Sequence, residues 1–289
     1  MDRDNPLMDP NVNFHRLGLG GWSRAFGDDV RQPGKLYFEG TTHLIYQETA
    51  LSVLPGLSTR PKFIFLLRDP LARVASSFNY TRGNLANVKG TLTLDRYFEM
   101  LAAGDTAALR RFVLSDQSAY VLQRDLQYSN YWPYLQRWLD ALGAERMLVL
   151  QFERLTQQPL ECMREVCEFL EISPHHFESG YDFATHNATV KLASSRVHRW
   201  AQRVASRVPP GRVKRTLRRA YYWAQLRERA ERAARPSAHS CEELRRELEA
   251  GTRKLGEAFD LDLALWDSAP RASVEAVEAR PRAAIRSAT

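Results

Sequence analysis

Two continuous apolar runs stand out from the mixed pattern of hydrophobic and polar residues along the chain. They are KFIFLL (62–67), which follows an Arg-Pro pair, and MLVLQF (147–152). Runs of this length are typical of strands that are buried on both faces of a parallel sheet. The shorter run LYF (36–38) follows a Pro-Gly break and predicts a third strand.

Between and after these runs, the apolar residues recur with helical spacing. This spacing predicts helices over 92–104, 106–113, 131–142, 160–170 and 242–257. Another helix is predicted directly after 62–67, because Asp69 can cap it and Pro70 fits its first turn. Strands that alternate with helices predict an α/β fold in which helices flank a mostly parallel sheet.

The composition indicates a globular protein with a substantial core. The chain has 289 residues, of which 44% are hydrophobic and 26% are charged. No stretch approaches the roughly 20 apolar residues that span a bilayer, and the opening MDRDNPLMDPNVNF does not resemble a secretion signal. We therefore expect a cytoplasmic protein with one domain over 1–267, and a disordered tail over 268–289.

The three cysteines, Cys162, Cys167 and Cys241, show neither disulfide nor zinc spacing. Cys162 and Cys167 fall within the helical pattern of 160–170, where small residues are typical of the core. We predict no metal site from them.

The net charge of +7 is concentrated in one part of the chain. Arg residues recur throughout 191–235, whose pattern also predicts helical structure, while acidic residues there are few. Such a segment is either a solvated helical face or a surface that attracts a phosphonucleotide, an acidic glycan or an anionic membrane. No nucleic-acid-binding motif accompanies the charge, so we do not expect a nucleic-acid partner.

Arg68 stands at the predicted end of the strand 62–67, where ligands of parallel sheets bind. Its guanidinium suits a pair of phosphate oxygens, and Ser76, on the helix that follows, can add a hydroxyl donor. Arg73, Ser76 and Tyr80 share one helical face by their spacing. From spacing alone, Arg68 could equally pair with an acid at the edge of the sheet.

The string FIFLLRDPLARVASSFNY, which contains Arg68 and Ser76, closely resembles a motif of sulfotransferases. These enzymes use 3′-phosphoadenosine-5′-phosphosulfate (PAPS), and the motif binds the 3′-phosphate of that donor. The resemblance implies that Arg68 and Ser76 hold this phosphate, and that the fold is the P-loop-like three-layer fold of the family.

Three further stretches are similar to the same family, so that the resemblance extends over roughly residues 20 to 266. SAYVLQRDLQYSNYWPYLQRWLDALGAERMLVLQFERL resembles its helix, strand and Glu-x-Leu corner, in which Glu153 would be structural, and LGEAFDLDLALW resembles its C-terminal end. KLYFEGTTHLIY resembles a strand and loop of the heparan-type enzymes, whose Glu is the catalytic base.

The catalytic base implied by this last resemblance is Glu39. A base of this kind works best when it is partly desolvated and close to the acceptor. Gly40 stands where the heparan-type enzymes usually have Lys. Glu39 could instead bind a neighbouring Arg, and His43 and His15 are alternative bases.

Members of this family also have an early strand and a Lys-x-Gly-Thr-Thr or Lys-x-Gly-Thr-Ser loop that holds the 5′-phosphosulfate. The loop is expected before the aromatic-rich stretch from Phe14 to Phe26, and residues 1–13 contain no counterpart. Neither of two possible substitutes fits, because GLGGW (18–22) has no Lys and EGTT (39–42) begins with a carboxylate that would repel the sulfonate. We therefore expect a sheet without its first central strand, and a coding sequence that begins upstream.

The leading hypothesis is an enzyme that transfers a sulfonate from PAPS to a hydroxyl or amine of a carbohydrate or glycolipid. The alternative is an inactive relative that binds 3′-phosphoadenosine 5′-phosphate (PAP) or an acidic glycan. A kinase-like protein is disfavoured, because Gly34 and Lys35 are followed by Leu rather than Ser or Thr.

Overall fold

The computed structural model describes residues 36–183 and 238–267, together with the single residues 7, 17, 18, 20 and 236. The predictions that concern His15, the basic segment 191–235 and the tail 268–289 lie outside the described residues. The boundary of the domain at residue 267 stays a prediction.

The two long apolar runs form a parallel sheet. Strand β1 spans Phe63–Leu67 and strand β2 spans Met147–Gln151. They pair in register from Phe63 opposite Met147 to Leu67 opposite Gln151. Helices flank the sheet, and the predicted α/β class is confirmed.

The helices agree well with the predicted segments and differ at their ends by a few residues. In chain order they are α1 (Glu48–Val53), α2 (Pro70–Gly83), α3 (Leu94–Ala102), α4 (Asp116–Ser129), α5 (Trp132–Leu142), α6 (Phe152–Gln157), α7 (Pro159–Leu170), α8 (His175–Glu178), α9 (Ala238–Phe259) and α10 (Ala264–Asp267). The predicted helix 106–113 is a shorter 3₁₀ helix, Thr106–Arg111.

Helix α2 begins where the sequence predicts. Asp69 is its N-cap, and its Oδ1 accepts a hydrogen bond from the backbone N–H of Ala72 at 2.6 Å. Pro70 occupies the first turn, where its missing N–H leaves no donor unsatisfied. The end of β1 and the start of α2 are therefore separated only by Arg68 and Asp69.

Two clusters of buried side chains form the core. One lies among α2, α3, α4 and the first half of α9, and includes Phe78 and Leu244. The other joins one face of the sheet to α5, and includes Phe65, Trp138 and Leu255. Because α9 contributes Leu244 to one cluster and Leu255 to the other, it packs against both halves of the fold.

The predicted strand 36–38 is wrong. These residues form no strand, and Leu36 and Phe38 are 55% and 64% exposed. An extended segment becomes a strand only where a neighbour supplies backbone hydrogen bonds, and within 36–183 and 238–267 no strand pairs with it.

The expectation that the run 62–67 is buried on both faces is also wrong. Phe63, Phe65 and Leu67 are buried, whereas Ile64 and Leu66 are 37% and 48% exposed. The second core cluster lies against the face that carries the buried residues. Among the described elements nothing covers the opposite side of β1 to the same extent.

The cysteines are free thiols, and Cys162 and Cys167 are buried in α7 as predicted. Across the helices that the structure describes, none is both apolar and long enough to cross a membrane.

Replacement of Phe78 by alanine should test the packing of the first cluster. Phe78 is fully buried and its ring stacks on that of Tyr97 with centroids 4.9 Å apart. We expect Phe78→Ala to lower the free energy of unfolding by about 3–5 kcal/mol in a urea titration. Tyr80→Ala, on the same helix at a side chain 51% exposed, is the control and should change it by less than about 1 kcal/mol.

Candidate functional site

The carboxyl ends of the two strands bring Arg68 and Phe152 together. Leu67 is opposite Gln151 in the sheet, so the residues that follow them leave the same edge. The Arg68 guanidinium lies over the Phe152 ring, 5.1 Å from its centroid, at a distance suited to a cation–π contact. The fold thus holds Arg68 at the edge where parallel sheets bind ligands.

The Arg68 side chain is not paired with an acid among the described residues. Its Nε is buried and has no hydrogen-bond partner, and no ion pair joins its guanidinium to a carboxylate within 36–183 or 238–267. Buried donors are nearly always satisfied in folded proteins. An unsatisfied Arg donor beside the positive end of α2 is therefore available to an anion.

Ser76 lies on α2 and is half-buried. It follows the Asp69 cap by seven residues, or nearly two turns, which places it roughly 10 Å along the helix axis. Arg68 and Ser76 are therefore contributed by adjoining elements, as the sequence predicts.

Arg73 takes no part in an open site. Its Nη1 donates to the Asp125 carboxylate at 3.2 Å and to the Ser129 hydroxyl at 3.1 Å. Asp125 is fully buried and also accepts from the Tyr97 hydroxyl at 2.7 Å. Of the three residues predicted to share one face of α2, Arg73 faces this buried network and Tyr80 is exposed.

Sequence reasoning missed this network. Burial raises the pKa of Asp125, whereas the neighbouring Arg73 lowers it. The signal in the sequence is weak: Asp125 follows Leu122 at helical spacing, on a buried face of α4 that also carries Ser118 and Ser129.

Glu39 lies in an exposed stretch before α1. Its carboxylate accepts a hydrogen bond from the Thr41 hydroxyl. No ion pair with an Arg holds it among the described residues, and no hydrogen bond joins it to Arg68 or Ser76 there. Among the described residues, Glu39 is therefore exposed and not bonded to the other two predicted site residues.

His43, the alternative base, is more enclosed than Glu39. Its ring centroid lies 5.9 Å from those of both Tyr46 and Tyr128, and its Nδ1 is buried without a hydrogen-bond partner among the described residues. Burial, and then the positive charge of Arg73, lowers the pKa of His43. The imidazole is thus neutral near pH 7, the form that can accept a proton.

A pair of buried acids adjoins Arg68. The Glu153 Oε1 accepts from the backbone N–H of Asp69 at 3.1 Å, and its Oε2 accepts from the Trp266 indole at 2.9 Å. Burial, with a smaller effect from Glu153, raises the pKa of Asp69 to about 6, although the Ala72 N–H opposes the shift.

Comparison of the chain with known protein families gives a match to one family. The profile of the family described as "Sulfotransferase domain" matches residues 31–202, more than half of the chain. The solved structure of a sulfotransferase from Alicyclobacillus acidocaldarius is similar to this one, with 17% sequence identity and a TM-score of 0.42. The alignment covers 78% of this chain and 65% of the bacterial chain.

The curated relatives are two-function enzymes. Bifunctional heparan sulfate N-deacetylase/N-sulfotransferase 3 of Mus musculus is 25% identical over 175 residues, which are 60% of this chain and 19% of the relative. Bifunctional heparan sulfate N-deacetylase/N-sulfotransferase 1 of the same organism is 25% identical over 161 residues, which are 56% of this chain and 17% of the relative. The chain therefore spans about a fifth of the length of these relatives.

Asp69 should make the stability of the protein depend on pH. Its folded pKa of about 6 lies above the ordinary value of 3.8 for an Asp carboxyl, so the folded state binds the proton more tightly than the unfolded chain. The stability that Asp69 contributes is greatest below about pH 4 and is lost as pH rises through about 6. Asp69→Asn keeps an N-cap acceptor without this titration.

Between about pH 4 and pH 7 the parent protein should lose the stability that the protonated Asp69 contributes, whereas the Asp69→Asn variant should not. We therefore expect the free energy of unfolding of the variant to rise by roughly 1–3 kcal/mol relative to that of the parent over this range, as measured by urea unfolding at several pH values. A difference between the two proteins that stays constant over that range would contradict the raised pKa.

Proposed function

The chain belongs to the sulfotransferase domain family, and from that membership we propose that it transfers a sulfonate group from PAPS to a hydroxyl or amine of a carbohydrate or glycolipid. The proposal depends on one observation. Arg68 directly follows β1, its guanidinium lies over the Phe152 ring, and the Nε of that guanidinium is buried without a partner among the described residues.

Arg68 and Ser76 would hold the 3′-phosphate of the donor. An Arg offers paired N–H donors that match two phosphate oxygens, and such charge-assisted bonds are about twice as strong as neutral ones. Ser76 would add a hydroxyl from the second turn of α2, whose N-terminal end carries a partial positive charge. These contacts would orient the donor relative to the acceptor.

The reaction would be an in-line displacement at sulfur. The acceptor oxygen or nitrogen forms a bond to sulfur as the bond from sulfur to the bridging phosphate oxygen breaks, and PAP leaves with that oxygen. The acceptor's proton passes to Glu39. As in phosphoryl transfer, positioning and charge stabilisation would supply most of the acceleration.

The acceptor class is inferred from the relatives. The names of the two mouse enzymes specify heparan sulfate, an acidic glycan, and N-sulfotransfer, which uses an amine. The Arg-rich sequence of 191–235 supports an anionic acceptor or an anionic membrane surface as a partner. We propose an acidic glycan or glycolipid on these grounds.

A second candidate is a protein that binds PAP or an acidic glycan without chemistry. The observation that favours it is the solvated position of Glu39, which lacks the desolvation that sharpens a general base. The two candidates share the phosphate site at Arg68 and differ in turnover of PAPS.

The phosphate site can be tested by comparing PAP with 5′-AMP, which lacks the 3′-phosphate. We expect the parent protein to bind PAP more tightly than 5′-AMP in isothermal calorimetry. Arg68→Ala should lower the affinity for PAP roughly 10- to 100-fold and leave the affinity for 5′-AMP unchanged. Ser76→Ala should weaken PAP by a smaller factor.

The control for Arg68→Ala is Arg96→Ala, at a side chain on α3 that is 62% exposed and pairs with Glu99. It should leave both affinities unchanged. If Arg68→Ala retained the parent preference for PAP, the proposed phosphate site would be wrong.

The proton acceptor can be tested with PAPS and a heparan-derived oligosaccharide amine. We expect Glu39→Gln to lower the rate of PAP release by about 100-fold or more, because a neutral amide cannot take the proton, and to leave PAP affinity unchanged. His43→Gln is the comparison variant. If His43→Gln loses turnover and Glu39→Gln does not, the proton acceptor is His43. Tight PAP binding by the parent without any turnover would favour the non-catalytic candidate.

A further inference from the structure

The peptide unit between Arg68 and Asp69 is held by side chains at both of its polar atoms. Its carbonyl, that of Arg68, accepts a hydrogen bond from the Tyr131 hydroxyl at 3.1 Å. Its N–H, that of Asp69, donates to Glu153 Oε1 at 3.1 Å. Because a peptide is planar, fixing both atoms fixes the orientation of the plane from which the Arg68 side chain departs.

Both of the side chains that hold this peptide are themselves buried. Tyr131 is 5% exposed and Glu153 is 7% exposed. The second oxygen of Glu153 accepts from the Trp266 indole, so that both carboxylate oxygens are used. Glu153 therefore cannot rotate without losing at least one buried hydrogen bond, which makes it a firm support.

The Arg68 side chain is held by the same segment. Phe152, which precedes Glu153, lies under the guanidinium. The two residues that follow β2 thus hold Arg68 at two points. Phe152 contacts the Arg68 guanidinium, and Glu153 accepts from the N–H of Asp69, the next residue in the chain. This arrangement results from the register that sets Leu67 opposite Gln151.

A carboxylate is an unfavourable choice beside a site for a phosphate, because it repels the anion. Glu153 also contributes to the raised pKa of Asp69. A neutral side chain would avoid both effects, but a Gln has only one oxygen and cannot accept freely from two opposed donors. The need to accept from Asp69 and Trp266 together accounts for an acid at this position.

We propose that Glu153 is a positioning residue for Arg68, and that Trp266 on α10 orients Glu153. The proposal rests on the function proposed above. The affinity for the 3′-phosphate then depends in part on a residue that does not touch the donor, and helix α10 becomes part of the support of the site.

The test uses the affinities for PAP and 5′-AMP of the full chain, at a temperature at which circular dichroism shows each variant folded. We expect Glu153→Gln to lower the affinity for PAP roughly tenfold and to leave the affinity for 5′-AMP nearly unchanged. Trp266→Phe keeps an aromatic ring but removes the five-membered ring of the indole together with its N–H, so it should weaken the binding of PAP by a smaller factor, about threefold.

A purely structural role would lower the melting temperature without changing the ratio of the two affinities. Leu109→Ala, in the other core cluster, is the matched destabilised control and should keep the parent ratio. If Glu153→Gln kept or raised the parent ratio of the two affinities while Arg68→Ala abolished the preference for PAP, the positioning role would be refuted and the phosphate site would stand. If the parent showed no preference for PAP, the site and the positioning role would both fall.

Discussion

The in-register pairing of β1 with β2 is the constraint on which the candidate site depends. The two strands are separated by about eighty residues of sequence, yet they end at the same edge of the sheet. Arg68 leaves one strand as Phe152 and Glu153 leave the other, and the stacking and hydrogen bonds between them follow directly. A shift of the pairing by one residue would turn the side chains of one strand to the opposite face and separate these groups.

A second buried interaction determines that Arg68, and not Arg73 of α2, is available to a ligand. Arg73 is paired with Asp125, and the same carboxylate accepts from Tyr97, so this network joins α2, α3 and α4. Removing one partner of a buried pair leaves an uncompensated charge, which strongly constrains how these helices pack. Arg68, five residues earlier, has no such partner among the described residues, and its charge remains open to an anion.

The segment around Glu39 shows how local enclosure separates two candidate bases. Glu39 is solvated, whereas His43 lies four residues later beside Tyr46 and Tyr128, rings that stack 4.0 Å apart. Tyr46 is itself anchored, because its hydroxyl donates to the Tyr128 carbonyl at 2.8 Å. The resemblance of the sequence to a family favours the first residue, and desolvation favours the second.

The sequence by itself determined the elements that depend on neighbours along the chain. The start of α2 at Asp69 and Pro70, the helices with regular apolar spacing and the location of Arg68 at a strand end all follow from local chemistry. The tertiary structure alone decided that 36–38 is not a strand, that β1 has an exposed face and that Arg73 is buried against Asp125. It also supplied the partners of Glu153, which lie 84 and 113 residues away along the chain. Local patterns carry no record of such pairs, because a hydrogen bond between distant residues forms only when the packing of the whole chain brings them together.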